Sequence, residues 1–285
     1  MSDLETRTRP QPAGPRTVEG VICYSGDAVE RPRYYANDHS RDLLDLEPHT
    51  VQIADARTAL APPSLDREGF QLVPHKSAVT DFRRSEMVAE IHPAEIERLL
   101  LEVTGADRVV VTGAAGVLRF GESSPDAGRF NNSYPARFIH IDASDATSEA
   151  NAERTLPKDI RRPMRRYAHY NVWRVMTPPP QDIPLTVCDA RTISPQDLIE
   201  ADAIFDVPGK PEWGFEGWLV RYSSRHRWSY FSNMTRDEVL VFKTSDSDPG
   251  QPHNVPHVAF DDPSCPPGVP PRASIEMRAV AYWFD

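Results

Sequence analysis

The sequence predicts a mainly β protein of the α+β type, with a jelly-roll core (a double-stranded, cupin-like β-helix) and flanking helices. Three observations carry this expectation. The second half of the chain is a succession of short runs in which apolar and polar residues alternate at period two, the mark of strands with one buried face. Their spacing matches antiparallel sandwiches and barrels. The 28 prolines favour loops and edge strands over long helices, and helical spacing is sustained over one long stretch only, residues 85–105.

Taken in order, residues 1–18 are polar and Pro-rich and read as a disordered tail. Residues 19–285 read as a single domain, with lead-in strands and helices over 19–130 and most of the core over 131–285. Residues 21–24 and 51–55 alternate as strands, and 40–46 suggest a short helix between them. Residues 65–73 read as a turn at Gly69 followed by a strand. Within 85–105, Met87, Ile91, Ile96, Leu99, Leu100 and Val103 keep helical spacing. Pro93 interrupts them, so the expectation is one short helix ending near His92 and a second starting at Pro93, with Gly105 as the stop. Residues 108–112 form a strand, and 113–116 and 121–132 form loops. Strands follow at 136–142, 167–175, 185–189, 217–222, 228–231, 238–243 and 273–284, with a helix or loop at 144–153.

Composition narrows the function. A mean hydropathy of -0.51 and the absence of any run near the ~18 apolar residues of a membrane span argue against membrane insertion. The start of the chain lacks the apolar region of a secretory signal, so the expectation is a cytoplasmic protein. Forty-two acidic against 32 basic side chains give a net charge of -10, which argues against a nucleic-acid partner. The basic patch at 161–166 reads either as a solvated face or as a collar for an anionic substrate. Cys23, Cys188 and Cys265 form no CxxC pair and suggest neither disulfides nor a zinc knuckle.

The chemistry concentrates at Phe138-Ile-His140-Ile-Asp142. On a strand, His140 and Asp142 point to one face and the two isoleucines to the other. Joined by a distant imidazole, they make a 2-His-1-carboxylate triad that holds Fe(II) and leaves positions open for O2 and substrates. His257 is preferred to His253 as the third ligand, because 256–260 enters an apolar strand whereas 251–254 reads as an exposed turn. Beyond it, Arg272 and Ser274 share one strand face. A planar guanidinium and a hydroxyl suit the far carboxylate of 2-oxoglutarate. Arg278 has the same parity and is the alternative anchor, while a salt bridge to Glu276 is the plain structural reading of Arg272.

These residues resemble the Fe(II)/2-oxoglutarate-dependent oxygenases, and among them the CmcJ/AsaB-like hydroxylase/desaturase group of bacterial and fungal secondary metabolism. The resemblance spans most of the chain. It is carried by Ile-Ala-Asp55-Ala-Arg57, Glu102-Val-Thr-Gly105-Ala, His140-Ile-Asp142, Asn171-Val-Trp-Arg174, Pro256-His257-Val-Ala-Phe260 and Pro271-Arg272-Ala-Ser274-Ile-Glu276-Met-Arg278. It implies His140, Asp142 and His257 as iron ligands and Arg272 as the 2-oxoglutarate arginine. It also implies that Asn171 and Arg174 line the co-substrate or substrate pocket. The implied reaction couples oxidative decarboxylation of 2-oxoglutarate to succinate and CO2 with hydroxylation, desaturation or oxidative cyclisation of a small molecule. Two rival readings are a cupin-like metal-dependent isomerase or hydrolase, and a jelly-roll binding module without catalysis. The oligomeric state is not read from the sequence.

Overall fold

A computed structural model describes residues 15–285. Of the stretch expected as a tail, residues 1–14 lie outside the described residues, and Thr17 and Val18 already open the first strand. The strands are β1 (Thr17–Ser25), β2 (Arg33–Tyr35), β3 (Leu46–Asp55), β4 (Phe70–Pro74), β5 (Arg108–Phe120), β6 (His140–Ile141), β7 (Met164–Val175), β8 (Leu185–Cys188), β9 (Leu198–Phe205), β10 (Trp213–Val220), β11 (Trp228–Tyr230), β12 (Glu238–Asp246), β13 (His257–Ala259) and β14 (Ala273–Phe284). Two helices are present among the described residues apart from short 3-10 turns, α1 (Ser85–Thr104) and α2 (Asp145–Thr155).

The strands form a nine-stranded sheet, ordered β1-β3-β11-β8-β13-β6-β10-β9-β2, and a five-stranded sheet, ordered β4-β12-β7-β14-β5. Parity along the five-stranded sheet decides what each face does. Ala168, Tyr170 and Val172 of β7, with Met277, Ala279 and Ala281 of β14, point outward and bury Ile96, Leu99 and Leu100 of α1. Trp173 and Val175 of β7 and Leu240 and Phe242 of β12 point inward and pack on Leu185 and Val187 of β8. The two sheets thus face each other across one interior, the jelly roll expected from strand spacing. The nine-stranded sheet also curls, so that Cys23 of β1 bridges Phe138 ahead of β6.

Several elements differ from expectation. Pro93 lies inside a single helix α1, which Gly105 ends in the left-handed conformation at φ 64. A proline inside a helix costs about 3 kcal/mol, but each buried Val, Leu or Ile returns roughly 1.5–3 kcal/mol, and Val88, Ile96, Leu99 and Leu100 are all buried. Residues 40–46 give only a 3-10 turn, His39–Arg41, because Leu43 is drawn into a bridge with Arg33 and Leu46 already pairs with Ser25 of β1. The loop expected at 113–116 is a wide bulge within β5, between the pairs Thr112↔Arg278 and Val117↔Glu276. Gly113 and Gly116 make it possible at φ 81 and 66, which side chains with a Cβ adopt only under strain. β9 was not anticipated, although Ile199, Ala201 and Ala203 are buried at period two.

His92 of α1 is 1% exposed, and its Nδ1 lies 2.9 Å from Glu95 Oε2. Burial outweighs the carboxylate and pushes its pKa down to about 4. As pH falls below the unfolded value of about 6.5, the unfolded chain takes up this proton first, so stability declines from there to about pH 4. The slope is about 1.4 kcal/mol per pH unit for the one group. Urea midpoints at pH 7 and pH 4.5 should therefore lie further apart for the wild type than for His92→Gln.

Candidate metal centre and cavity

Strand register brings the histidines together. His257 of β13 is directly opposite His140 of β6, and their ring centroids are 4.3 Å apart. Asp142, two residues past His140, turns to the same side, with its Oδ1 3.9 Å from His140 Nε2. One donor atom from each of the three residues lies within 4.8 Å of the others. His253 is not part of this group, and its Nδ1 meets the Gln251 carbonyl at 2.7 Å.

The tautomers follow from backbone carbonyls, which can only accept. His140 Nδ1 donates to Phe138 O at 3.1 Å and His257 Nδ1 to Val255 O at 3.4 Å, leaving both Nε2 lone pairs for the cluster. Burial and the neighbouring His257 push the His140 pKa down to about 3, and burial lowers that of His257 as well. Both imidazoles are neutral near pH 7, as a metal ligand must be. Burial opposes ionisation of Asp142, but Arg278, the two histidines and Asn171 outweigh it and hold the carboxyl well below its ordinary range.

Asp142 is also fixed in place. Arg278 Nη2 donates to its Oδ1 at 2.8 Å, and Asn171 Nδ2 donates to its Oδ2. Arg278 and Asn171 are cross-strand partners on β14 and β7, and Glu276 holds Arg278 through Nε at 3.0 Å. Glu276 therefore pairs with Arg278 and not with Arg272. Outer partners of metal ligands are worth roughly 10- to 100-fold in metal affinity. Asn171→Ala is accordingly expected to weaken Fe(II) binding within that range, as measured by anaerobic metal titration, and to lower the unfolding temperature by the loss of one buried hydrogen bond to a carboxylate, about 1.5–3 kcal/mol.

Arg272 is 1% exposed. Its Nη1 donates to Ser274 Oγ at 2.7 Å, and its carbon Cζ lies 5.7 Å from the Trp173 ring centroid. Its Nε and Nη2 are buried without a partner among the described residues. Burial and the positive charges of Arg119 and Arg137 push its pKa down to about 9. Two buried, unanswered N–H donors in a fork describe the complement of a carboxylate. The cluster of two neutral imidazoles and one carboxylate likewise fits Fe(II). Both observations match what the expected metal and co-substrate require.

Arg174 does not join this assembly. Residues 171 and 174 differ by an odd number along β7 and face opposite ways. Arg174 is buried on the α1 side, donating to the carbonyls of His75 at 2.9 Å and of Arg236, with the Phe82 ring 5.5 Å away. The arginines at 161–166 do not line the cavity either; Arg166 is held by Asp246 and lies over Trp283. A residue not anticipated does line it. Arg119 of β5 is opposite Ser274 and shares a cavity of about 320 Å³ with His140, Asp142 and Arg278. Its wall includes Tyr34, Leu44, Phe138, Phe205 and Phe215. The signal available in the sequence was the Gly113 and Gly116 pair, which shifts the parity of residues 117–120.

A double-stranded β-helix with an inward His-x-Asp pair opposite a distal histidine defines the class of the non-haem iron, 2-oxoglutarate-dependent oxygenases. The YDMC family, described as an oxidoreductase/YMDC permease-like domain, matches residues 24–282, and the chain belongs to it. It is 31% identical to the hydroxylase/desaturase CTB9 of Cercospora beticola over 84% of this chain and 78% of that protein. It is 32% identical to the hydroxylase/desaturase efuI of Hormonema carpetanum over 82% of this chain and 84% of that one. The solved structure of the iron and alpha-ketoglutarate-dependent endoperoxidase NvfI superposes with a TM-score of 0.79 at 26% identity, covering 94% of this chain and 99% of NvfI. Among the described residues no helix is long and apolar enough to cross a membrane.

Proposed function

We propose that the protein is an Fe(II)/2-oxoglutarate-dependent oxygenase that hydroxylates, desaturates or oxidatively cyclises a small-molecule intermediate of secondary metabolism. The observation that carries this reading is the convergence of His140, Asp142 and His257 at the head of a largely apolar cavity. In this reading these three residues hold the iron. Arg272 and Ser274 hold the far carboxylate of 2-oxoglutarate, and Asn171 and Arg278 orient Asp142. Iron with 2-oxoglutarate and O2 supplies the oxidising chemistry, and succinate and CO2 are the co-products.

The protein's own part is placement and shielding. The inward Phe242 packs on His257 at 4.7 Å between ring centroids and keeps water from that side of the centre. The unanswered donors of Arg272 favour the oxygenase over a metal-dependent isomerase or hydrolase, which has no use for a second buried carboxylate site. A cytoplasmic location agrees with the reading.

Anaerobic addition of Fe(II) and then 2-oxoglutarate is the test. A visible charge-transfer band that needs both additions, and that a chelator removes, is expected. Its absence in the wild-type protein would exclude the proposal.

A further inference from the structure

The cavity in front of His140 and Asp142 contains a cation that makes no ion pair among the described residues. Three acidic residues line it, and each is already engaged. Asp142 is bonded by Arg278, Glu122 by Arg137 at 2.7 and 2.9 Å, and Asp42 by the Tyr35 amide at 2.7 Å and by His39 at 3.2 Å. Arg119 has no carboxylate partner among the described residues. It is held instead by its Nη1 alone, which donates to Asn132 O at 3.1 Å, Asn132 Oδ1 at 2.9 Å and Tyr134 O at 2.8 Å. Those three bonds fix the guanidinium plane; Glu276 and Asp142 act on its charge from a distance, but no carboxylate hydrogen-bonds it, and Nε and Nη2 have no acceptor among the described residues. Burial accordingly lowers its pKa.

Tyr34 lines the same cavity, its ring packed 4.9 Å from that of Phe138, and its hydroxyl makes no hydrogen bond among the described residues. Burial raises the Tyr34 pKa, so the phenol stays a neutral donor. Around these two donors the wall is apolar and aromatic, with Phe205 and Phe215 5.4 Å apart. A rigid guanidinium with two unanswered N–H groups and no carboxylate bonded to it, set in such a wall, favours a ligand with one anionic group on an apolar body.

We infer that the substrate oxidised at this centre is an apolar molecule carrying a carboxylate, and that Arg119, with Tyr34 as second donor, holds that carboxylate. The inference rests on the oxygenase reading and goes beyond it by naming the substrate class and its anchor. Arg119 is a specificity residue in this scheme. Arg272 and Ser274, which are buried and do not line this cavity, serve the co-substrate in that reading.

The test compares 2-naphthoate with 2-naphthamide, which have the same shape and differ in charge. Binding is measured by calorimetry under anaerobic conditions with saturating Fe(II) and 2-oxoglutarate, so that the metal and Arg272 are already occupied. In the wild type naphthoate should bind at least about tenfold tighter, the size of one charge-assisted bond. Arg119→Gln should remove the preference, Arg119→Lys should keep part of it, and Tyr34→Phe should reduce it. Equal affinities in the wild type, or a preference that survives in Arg119→Gln, would overturn the inference. The same variants are titrated with 2-oxoglutarate through the visible band. If Arg119→Gln shifts that titration and leaves the naphthoate preference intact, Arg119 serves the co-substrate: the inference fails and the oxygenase reading stands. If the wild type gives no band yet prefers naphthoate in an Arg119-dependent way, the carboxylate site stands and the oxygenase reading falls. Should Arg119→Gln not fold, Arg119→Lys and Tyr34→Phe decide the outcome.

Discussion

His257→Ala is expected to weaken Fe(II) binding by well over about 100-fold, the upper end of what loss of a mere outer partner produces, and with it to abolish succinate formation. His257 contributes one of the three donors that converge among the described residues, and its Nε2 lone pair is committed to the cluster because Nδ1 is turned to Val255. The side chain is 3% exposed and packs on Phe242, so alanine also leaves a void. His257→Gln keeps most of the volume and separates the two effects. It should melt near the wild-type temperature and still fail to give the visible band. Turnover unchanged in both variants would remove His257 from the metal site.

Arg272→Leu should raise the 2-oxoglutarate requirement while leaving Fe(II) affinity nearly untouched. Truncating one member of a buried, hydrogen-bonded charge pair costs about 2 to 5 kcal/mol, which is roughly 30-fold to several thousand-fold in affinity. The ligand-free protein should behave in the opposite sense. There the guanidinium is buried with two donors unanswered, so leucine relieves a desolvation cost and should hold or raise the unfolding temperature. Added 2-oxoglutarate, which stabilises the wild type by binding only its folded form, should no longer do so. The alternative anchor, Arg278, makes a distinct prediction. It is bonded to Asp142 and Glu276, so Arg278→Leu should damage iron binding first. A selective 2-oxoglutarate defect in Arg278→Leu would place the anchor six residues further along the chain, within β14.

Much of the site was readable because it is built from strand parity. Period two at 138–142 put His140 beside Asp142, and period two at 272–278 put Arg272, Ser274, Glu276 and Arg278 on one face. The same rule, applied strictly, would have separated Asn171 from Arg174. What parity does not carry is which side chains saturate one another. The pairing of Arg278 with Asp142, and its consequence that Arg272 is left with free donors, depends on how two sheets meet. Arg119 was missed because its inward turn depends on a bulge of residues 113–116 opposite Met277, a non-local irregularity that looks like a loop in isolation. The continuous helix through Pro93 was missed for a related reason, since tertiary burial outweighed a local breaker. The fold class was legible throughout because many short alternating runs all point to the same architecture.

The facing of His140 and His257 has a further consequence. The ladder that sets it is minimal, with two residues in β6 and three in β13, and they meet at a single pair. A slip of one residue between these strands would turn one imidazole out of the interior altogether. The native alignment is held from both flanks, by β10 on β6 and by β8 on β13. A metal held by His140, Asp142 and His257 would add a tie across this one-pair seam, so loading it should make the seam harder to open.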